Sequence, residues 1–278
     1  VEAIIRIFNV HGNRGNKNKA RLKFVMRERG FDWLRDAIEE QYQDIVKNGG
    51  IAMPEEVPEN FGGFVQTAPP KGTGDLLPVY EAASPEFAEW QETNVRKQKQ
   101  AGYSIVTIKT PQGNLTSQQM HALADLSEKA GDGFLRVTMS QNLILAWVPQ
   151  GALKRVFGAL QAMGLADTRV NEISDPTNCP GAYSCNLALV KSMGLGDALT
   201  EALRKQQDPV IRRLKINISG CPNSCGQHWI GDLGFYGNAR KIAGKEVPYY
   251  QMLLGGSQSE FGFAVQSLPA RLVPTAVD

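Results

Sequence analysis

The four cysteines of this 278-residue chain fall in two close pairs. Cys179 and Cys185 enclose Pro180-Gly181-Ala182-Tyr183-Ser184, and Cys221 and Cys225 enclose Pro222-Asn223-Ser224. A C-x5-C pair followed by a C-x3-C pair offers four thiolates, the number that encloses one [4Fe–4S] cluster. Proline and glycine lie within or beside each pair, and both suit irregular loops that curl backbone around such a group. Three other uses of the thiols stay open. Two disulfides would need an oxidising compartment, but nothing marks the chain as secreted, and a chain of this length can build a core without staples. A structural zinc site favours C-x2-C or C-x4-C knuckles, whereas the spacings here are five and three. Four inert core cysteines are not expected to pair up beside proline and glycine. The iron–sulfur assignment leads the four.

Ordinary elements must hold these loops. Residues 1–50 read as a short apolar strand or helix end, then a Gly/Asn-rich loop, then helices over Lys19–Arg29 and Phe31–Ile45 divided by Gly30. Residues 51–95 are rich in proline and glycine and read as a linker arm. From 96 to 165 the pattern sharpens. Tyr103–Lys109 alternates like a strand, and Thr116 with Gln119 forms a capping-box signature before a helix stopped by Gly131. Phe134–Met139 and Leu143–Val148 read as strands, and Gln150–Met163 as a helix with one apolar face. This strand-helix-strand-strand-helix order is most of a ferredoxin-like split βαβ unit. Residues 166–278 carry the cysteine loops, separated by a helix near Gly196–Gln206, with strands at Leu214–Ser219, Ile230–Tyr236 and Tyr249–Leu254. The expected class is therefore α+β.

Composition narrows the function. The net charge is +2, and the basic residues are spread out except for Arg14, Lys17, Lys19, Arg21 and Lys23. A nucleic-acid binder would show a wider basic face with interleaved aromatics. No apolar run is long enough to span a membrane. The start, Val1-Glu2-Ala3-Ile4-Ile5-Arg6, lacks the basic-then-apolar-then-small pattern of a signal peptide, so reduced thiols and a cytoplasmic location are expected. Of the three histidines, His121 falls on the surface of a predicted helix, and His228 is either a loop residue or a support for the nearby cysteines. Trp229, Phe235 and Tyr236 read as core.

Four segments together carry a resemblance. Residues 178–189 and 218–235, which hold the cysteine pairs, resemble the two cluster motifs of the sirohaem-dependent nitrite and sulfite reductases. His11-Gly12-Asn13-Arg14 and the basic run after it resemble the Gly-Asn-Arg segment that follows the first half of those enzymes. Arg136–Ile144 resembles the Gln-Asn-Leu strand of their second half. The resemblance runs from near residue 5 to near residue 275, in the family's order.

It implies a nitrite/sulfite reductase 4Fe-4S (sirohaem) domain at 166–278, behind a ferredoxin-like half-domain at 96–165, with 1–50 a helical remnant of a first half. The whole would be a piece of a longer enzyme that reduces sulfite to sulfide or nitrite to ammonia, fed by ferredoxin or a flavoprotein. Cys179, Cys185, Cys221 and Cys225 would ligate the cluster, with Cys225 also bridging to the sirohaem iron. Sirohaem is ringed by carboxylates and needs cations and amide donors. Arg14, Lys17 and Arg21 are the candidate cations; Gln141, Asn142 and Asn223 are candidate amides, and Asn13 is read as a turn residue. The substrate-clamping residues of the family would precede Val1. Other functions stay open: an electron-transfer module without sirohaem, a non-catalytic scaffold half, or an iron–sulfur enzyme of corrin synthesis.

Overall fold

Glycine punctuation sets out the first helices. The computed structural model describes residues 1–16, 19–51, 75, 77–79 and 84–258, and the backbone of the strand Gln266–Leu272. Lys17 and most of the expected linker arm lie outside the described residues. Two compact units result, Val1–Val65 and Gln66–Asp278. The first holds α1 (Glu2–His11), α2 (Leu22–Arg29) and α3 (Phe31–Asn48). The apolar start of the chain is thus a helix, and Ala3 and Ile7 are its buried face. Gly30, at φ +92°, breaks α2 from α3 in a conformation that side chains with a Cβ avoid. Glu2 ties the unit together: its carboxylate accepts from Arg6 one turn on and from the Ile51 N–H beyond α3.

The second unit contains two sheets, each with its own core. The first has the order β1-β2-β4-β3, all antiparallel, from β1 (Val95–Lys97), β2 (Tyr103–Ile108), β3 (Leu135–Val137) and β4 (Leu143–Pro149). Helices α5 (Ser117–Ala130) and α6 (Leu153–Ala162) supply Leu123, Leu126, Val156, Phe157 and Leu160 to its core. The capping box at Thr116 and Gln119 is formed, with each side chain bonding the other residue's backbone N–H.

One helix lies within the stretch expected to be a linker. Helix α4 (Pro85–Asn94) is started by Ser84, whose hydroxyl accepts the Phe87 N–H, and by proline at its first turn. Phe87 and Trp90, three apart, face the core and meet Phe157 with ring centroids 5.4 and 5.3 Å away. The proline-rich composition upstream hides this short apolar stripe.

The second sheet has the order β5-β6-β7-β8-β9, from β5 (Thr177–Asn178), β6 (Ile216–Ser219), β7 (Leu233–Ile242), β8 (Lys245–Leu254) and β9 (Gln266–Leu272). Strands β5, β6 and β7 are parallel, and β7, β8 and β9 are antiparallel. Parallel neighbours need crossover connections rather than tight turns. The first crossover carries α7 (Ser192–Leu203) and the short α8 (Pro209–Arg212); the second is the stretch from Gly220 to Asp232. Ile173, Val190, Ile216, Ile218, Phe235 and Tyr250 form the core beneath.

Trp90 is fully buried among Phe87 and Phe157. Trp90→Ala should lower unfolding stability by about 3–5 kcal/mol, read from the urea midpoint, while His121→Ala on the exposed face of α5 should shift it by less than about 0.5 kcal/mol.

Candidate metal centre

Both cysteine pairs follow directly from the carboxyl ends of neighbouring parallel strands. Strand β5 ends at Asn178 and Cys179 comes next; β6 ends at Ser219 and Gly220-Cys221 come next. The register pairs Asn178 with Ile218, so the loops leave the sheet side by side. The end of a parallel sheet is where crossovers open space for a ligand.

Backbone zips the loops together. The Gly220 N–H donates to Cys179 Sγ at 3.1 Å, and the Gly220 carbonyl accepts from Leu189 N–H at 2.8 Å. Ser192, buried at the start of α7, donates its hydroxyl to the Cys179 carbonyl at 2.6 Å and lies 3.6 Å from its sulfur. Within the first loop, Cys185 N–H donates to the Gly181 carbonyl at 2.9 Å. Two glycines allow this approach. Gly181 sits at φ +56°, where a Cβ would strike Ser192, and a Cβ on Gly220 would come within 2.7 Å of Gly181 Cα.

The second loop is braced from below. Gly226 N–H donates to Ser219 Oγ at 3.0 Å, and its carbonyl accepts from Asn217 Nδ2 at 2.9 Å. Ser224 and Gln227 flank Cys225-Gly226 at φ +64° and +57°, a left-handed backbone uncommon outside glycine. His228 is buried and stacks on Tyr236 at 4.8 Å, with Trp229 at 5.3 Å. Phe235 joins the core as expected, whereas Trp229 is partly exposed.

All four cysteines are free; Cys221 is buried, Cys179 and Cys185 half-buried, and Cys225 exposed. No group of three or more His, Cys, Asp or Glu among the described residues could hold a metal ion as it stands. A four-iron cluster assigns one thiolate to each iron, so its ligands need not converge on a single ion. Unbridged thiols, an amide N–H aimed at Cys179 and two cysteine loops brought together by close glycine contact fit such a cluster.

The other candidates are scattered. In the first unit, Arg14 bonds Asn9 and lies over the Phe8 ring at 5.5 Å. Arg21 precedes α2, and its buried Nη1 has no hydrogen-bond partner among the described residues, which fits an anion. Asn13 makes a turn, accepting the Asn16 N–H at 2.8 Å. In the second unit Asn223 is half-buried between the last two cysteines. Gln141 and Asn142, expected either as amides toward a macrocycle edge or as a plain turn, bond protein groups. Gln141 bonds the backbone of Asn178, and the fully buried Asn142 accepts from Thr110 N–H and donates to Asp175. A cavity of about 390 Å³ beside the first loop is lined by Gln112, Gln141, Asn178, Tyr183 and Met193.

Beneath the loops lie buried charges. Burial pushes the Asp175 carboxyl above its ordinary range, against the opposing pull of Lys109, and pushes the Lys215 ammonium down. Burial likewise raises the Tyr250 phenol, with the Cys179 sulfur adding to it, and its O–H donates to the Lys191 carbonyl at 2.8 Å. Ser192 and Asp175 went unnoticed in the sequence, and Gly220 was read only as a loop glycine beside Cys221, since each acts through a partner distant along the chain.

Residues 1–46 and 169–277 match the family described as the nitrite and sulphite reductase 4Fe-4S domain, and 96–163 match the nitrite/sulfite reductase ferredoxin-like half domain. The chain belongs to the nitrite and sulfite reductase family. Among family members, the ferredoxin–nitrite reductase of Synechococcus elongatus is 28% identical over 257 residues, covering 91% of this chain and 43% of that protein. Sulfite reductase [ferredoxin] 2 of Mycolicibacterium paratuberculosis is 26% identical over 261 residues, covering 92% and 41%. The solved structure of the Mycobacterium tuberculosis NirA protein superposes with a TM-score of 0.64 at 25% identity, over 98% of this chain and 45% of that one. The chain thus spans less than half the length of these family members.

Two outcomes test the site. Gly220→Ala should lower iron and sulfide uptake about tenfold while far-UV circular dichroism stays native; equal uptake would deny the close approach its role. The raised Asp175 pKa stabilises the fold below the unfolded value of about 3.9, and that contribution is lost as pH rises through the folded pKa. Asp175→Asn should therefore gain stability relative to wild type across that rise. Urea midpoints that run parallel at every pH would refute it.

Proposed function

We propose that this chain is the cofactor-bearing C-terminal part of a six-electron reductase of nitrite or sulfite. The observation that carries the reading is the juxtaposition of the two cysteine loops at the ends of β5 and β6, joined by the Gly220 N–H on Cys179. In this reading Cys179, Cys185, Cys221 and Cys225 hold one [4Fe-4S] cluster. Cys225, the exposed one of the four thiols, is open to a second partner and would be the ligand shared with sirohaem. The bound cofactors supply the one-electron steps that no side chain can provide.

The chain's own residues hold and orient. Arg14, Lys17 and Arg21 would pair with carboxylates of the macrocycle; the buried Arg21 Nη1, without a hydrogen-bond partner among the described residues, supports this. Asn223 donates toward cluster sulfides or a sirohaem carboxylate, while Gln141 and Asn142 act through the protein. In this reading 1–50 would close a first half, 51–95 would be a connecting arm whose last part, α4, packs into the ferredoxin-like core, 96–165 would be the ferredoxin-like half-domain and 166–278 the cluster domain. Ferredoxin is the favoured donor, because ferredoxin is named in the nitrite and sulfite reductases the chain matches. No helix among the described residues is long and apolar enough to cross a membrane, and the unbridged thiols suit a reducing cytoplasm. The piece by itself is not expected to turn over substrate.

The test is an anaerobic visible spectrum with iron and acid-labile sulfide analysis, before and after adding sirohaem. About four iron and four sulfide per chain plus a sirohaem band support the reading. A cluster that never takes sirohaem would favour an electron-transfer module, and absence of both would favour a scaffold. Cys225→Ser should abolish electronic coupling between the two groups, whereas Cys179→Ser should chiefly lower cluster content.

A further inference from the structure

The hairpin between β3 and β4 turns through Gln141 at φ +64°. A left-handed non-glycine residue persists only where its surroundings fix it. This turn sends the side chain to the edge of the other sheet. Gln141 Nε2 donates to the Asn178 carbonyl at 2.7 Å, and Gln141 Oε1 accepts the Asn178 N–H at 2.9 Å. These are the two bonds that a neighbouring strand would make, and among the described residues β5 has a strand only on its β6 side. One side chain thus stands in for a missing strand.

The consequence falls on Cys179. The Asn178 carbonyl and the Cys179 N–H belong to one planar peptide unit. Gln141 holds the carbonyl end, and the Ile218 carbonyl holds the N–H end at 3.1 Å. That plane fixes the Cys179 Cα, and the Ser192 hydroxyl on the Cys179 carbonyl fixes the next plane, so together they set the direction in which the Cys179 side chain leaves the backbone. Asn142 pins the approach, donating to Asp175 at 2.7 Å while accepting from Thr110 N–H at 2.9 Å. The Asn178 side-chain amide is buried without a hydrogen-bond partner among the described residues, so its backbone is what holds the residue.

We propose that Gln141 is a positioning residue for Cys179, through which the ferredoxin-like half-domain sets the geometry of the cluster's first ligand. The proposal rests on the four-cysteine cluster reading. Gln141→Asn tolerates the left-handed turn but is one methylene too short to reach, and Gln141→Met keeps the length without either bond. Gln98→Ala is the control: Gln98 also bonds a left-handed residue's backbone, Trp147 N–H at 2.9 Å, with no bond to the cysteine loops.

In the cluster-free full chain, both Gln141 variants should exchange the Asn178 amide hydrogen about three- to tenfold faster. In the reconstituted chain, a ferrous chelator should strip iron about tenfold faster, and the cluster's reduction potential and electron paramagnetic resonance spectrum should shift. Gln98→Ala should match wild type throughout. Wild-type iron release and potential in the folded Gln141 variants would overturn the assignment and leave the cluster reading standing. A wild-type chain that takes up no iron and sulfide would overturn both.

Discussion

Parallel strands cannot be joined by hairpins, and the site follows from that constraint. Pairing β5, β6 and β7 in one direction forces two crossovers from the same end of the sheet. Each crossover opens with a cysteine motif, so the strand register, rather than any cysteine–cysteine contact, brings the motifs side by side. The remaining distance is closed by glycine. Gly181 and Gly220 meet backbone to backbone, and the Gly220 N–H turns to the Cys179 sulfur.

The polar groups under the loops serve the same end. Asn217 and Ser219 are buried side chains of β6, yet both are hydrogen-bonded to Gly226 in the loop above. A buried polar group that finds its partner costs little and, unlike an apolar contact, has a direction. The gradient from buried Cys221 to exposed Cys225 gives the second loop one anchored end and one open end.

The sequence revealed what is local and hid what is not. Cysteine spacing, the Thr116 capping box, the Gly30 break and the strands around Phe235 are short-range patterns, and the structure contains the corresponding elements. Helix α4 was hidden because only Phe87 and Trp90 mark its buried face, behind a proline-rich run. His228 is polar within a Gly/Pro loop, so nothing in its neighbours announces the stack on Tyr236. The bond from Gln141 to Asn178 spans 37 residues and depends on a left-handed turn that composition does not disclose. Contacts of that kind are set by how two separately formed sheets dock.

That docking is polar for a physical reason. Each sheet has its own apolar core, so neither needs the other to bury its surface. The chain joining them is held instead by directional bonds. Asn94 donates to the Asp167 carbonyl at 2.9 Å; Arg169 reaches Glu89 and the Arg204 and Gln206 carbonyls; Arg212 forks onto Glu172. Apolar contact would tolerate sliding of one sheet over the other, because burial depends on area and not on angle. Hydrogen bonds weaken steeply when misaligned. Arg169, Asn171 and Gln141 adopt left-handed backbone within or against this join, conformations that persist only where such bonds over-determine them. A polar join therefore transmits the position of one sheet to the other, and the residue at the end of that chain of bonds is Cys179.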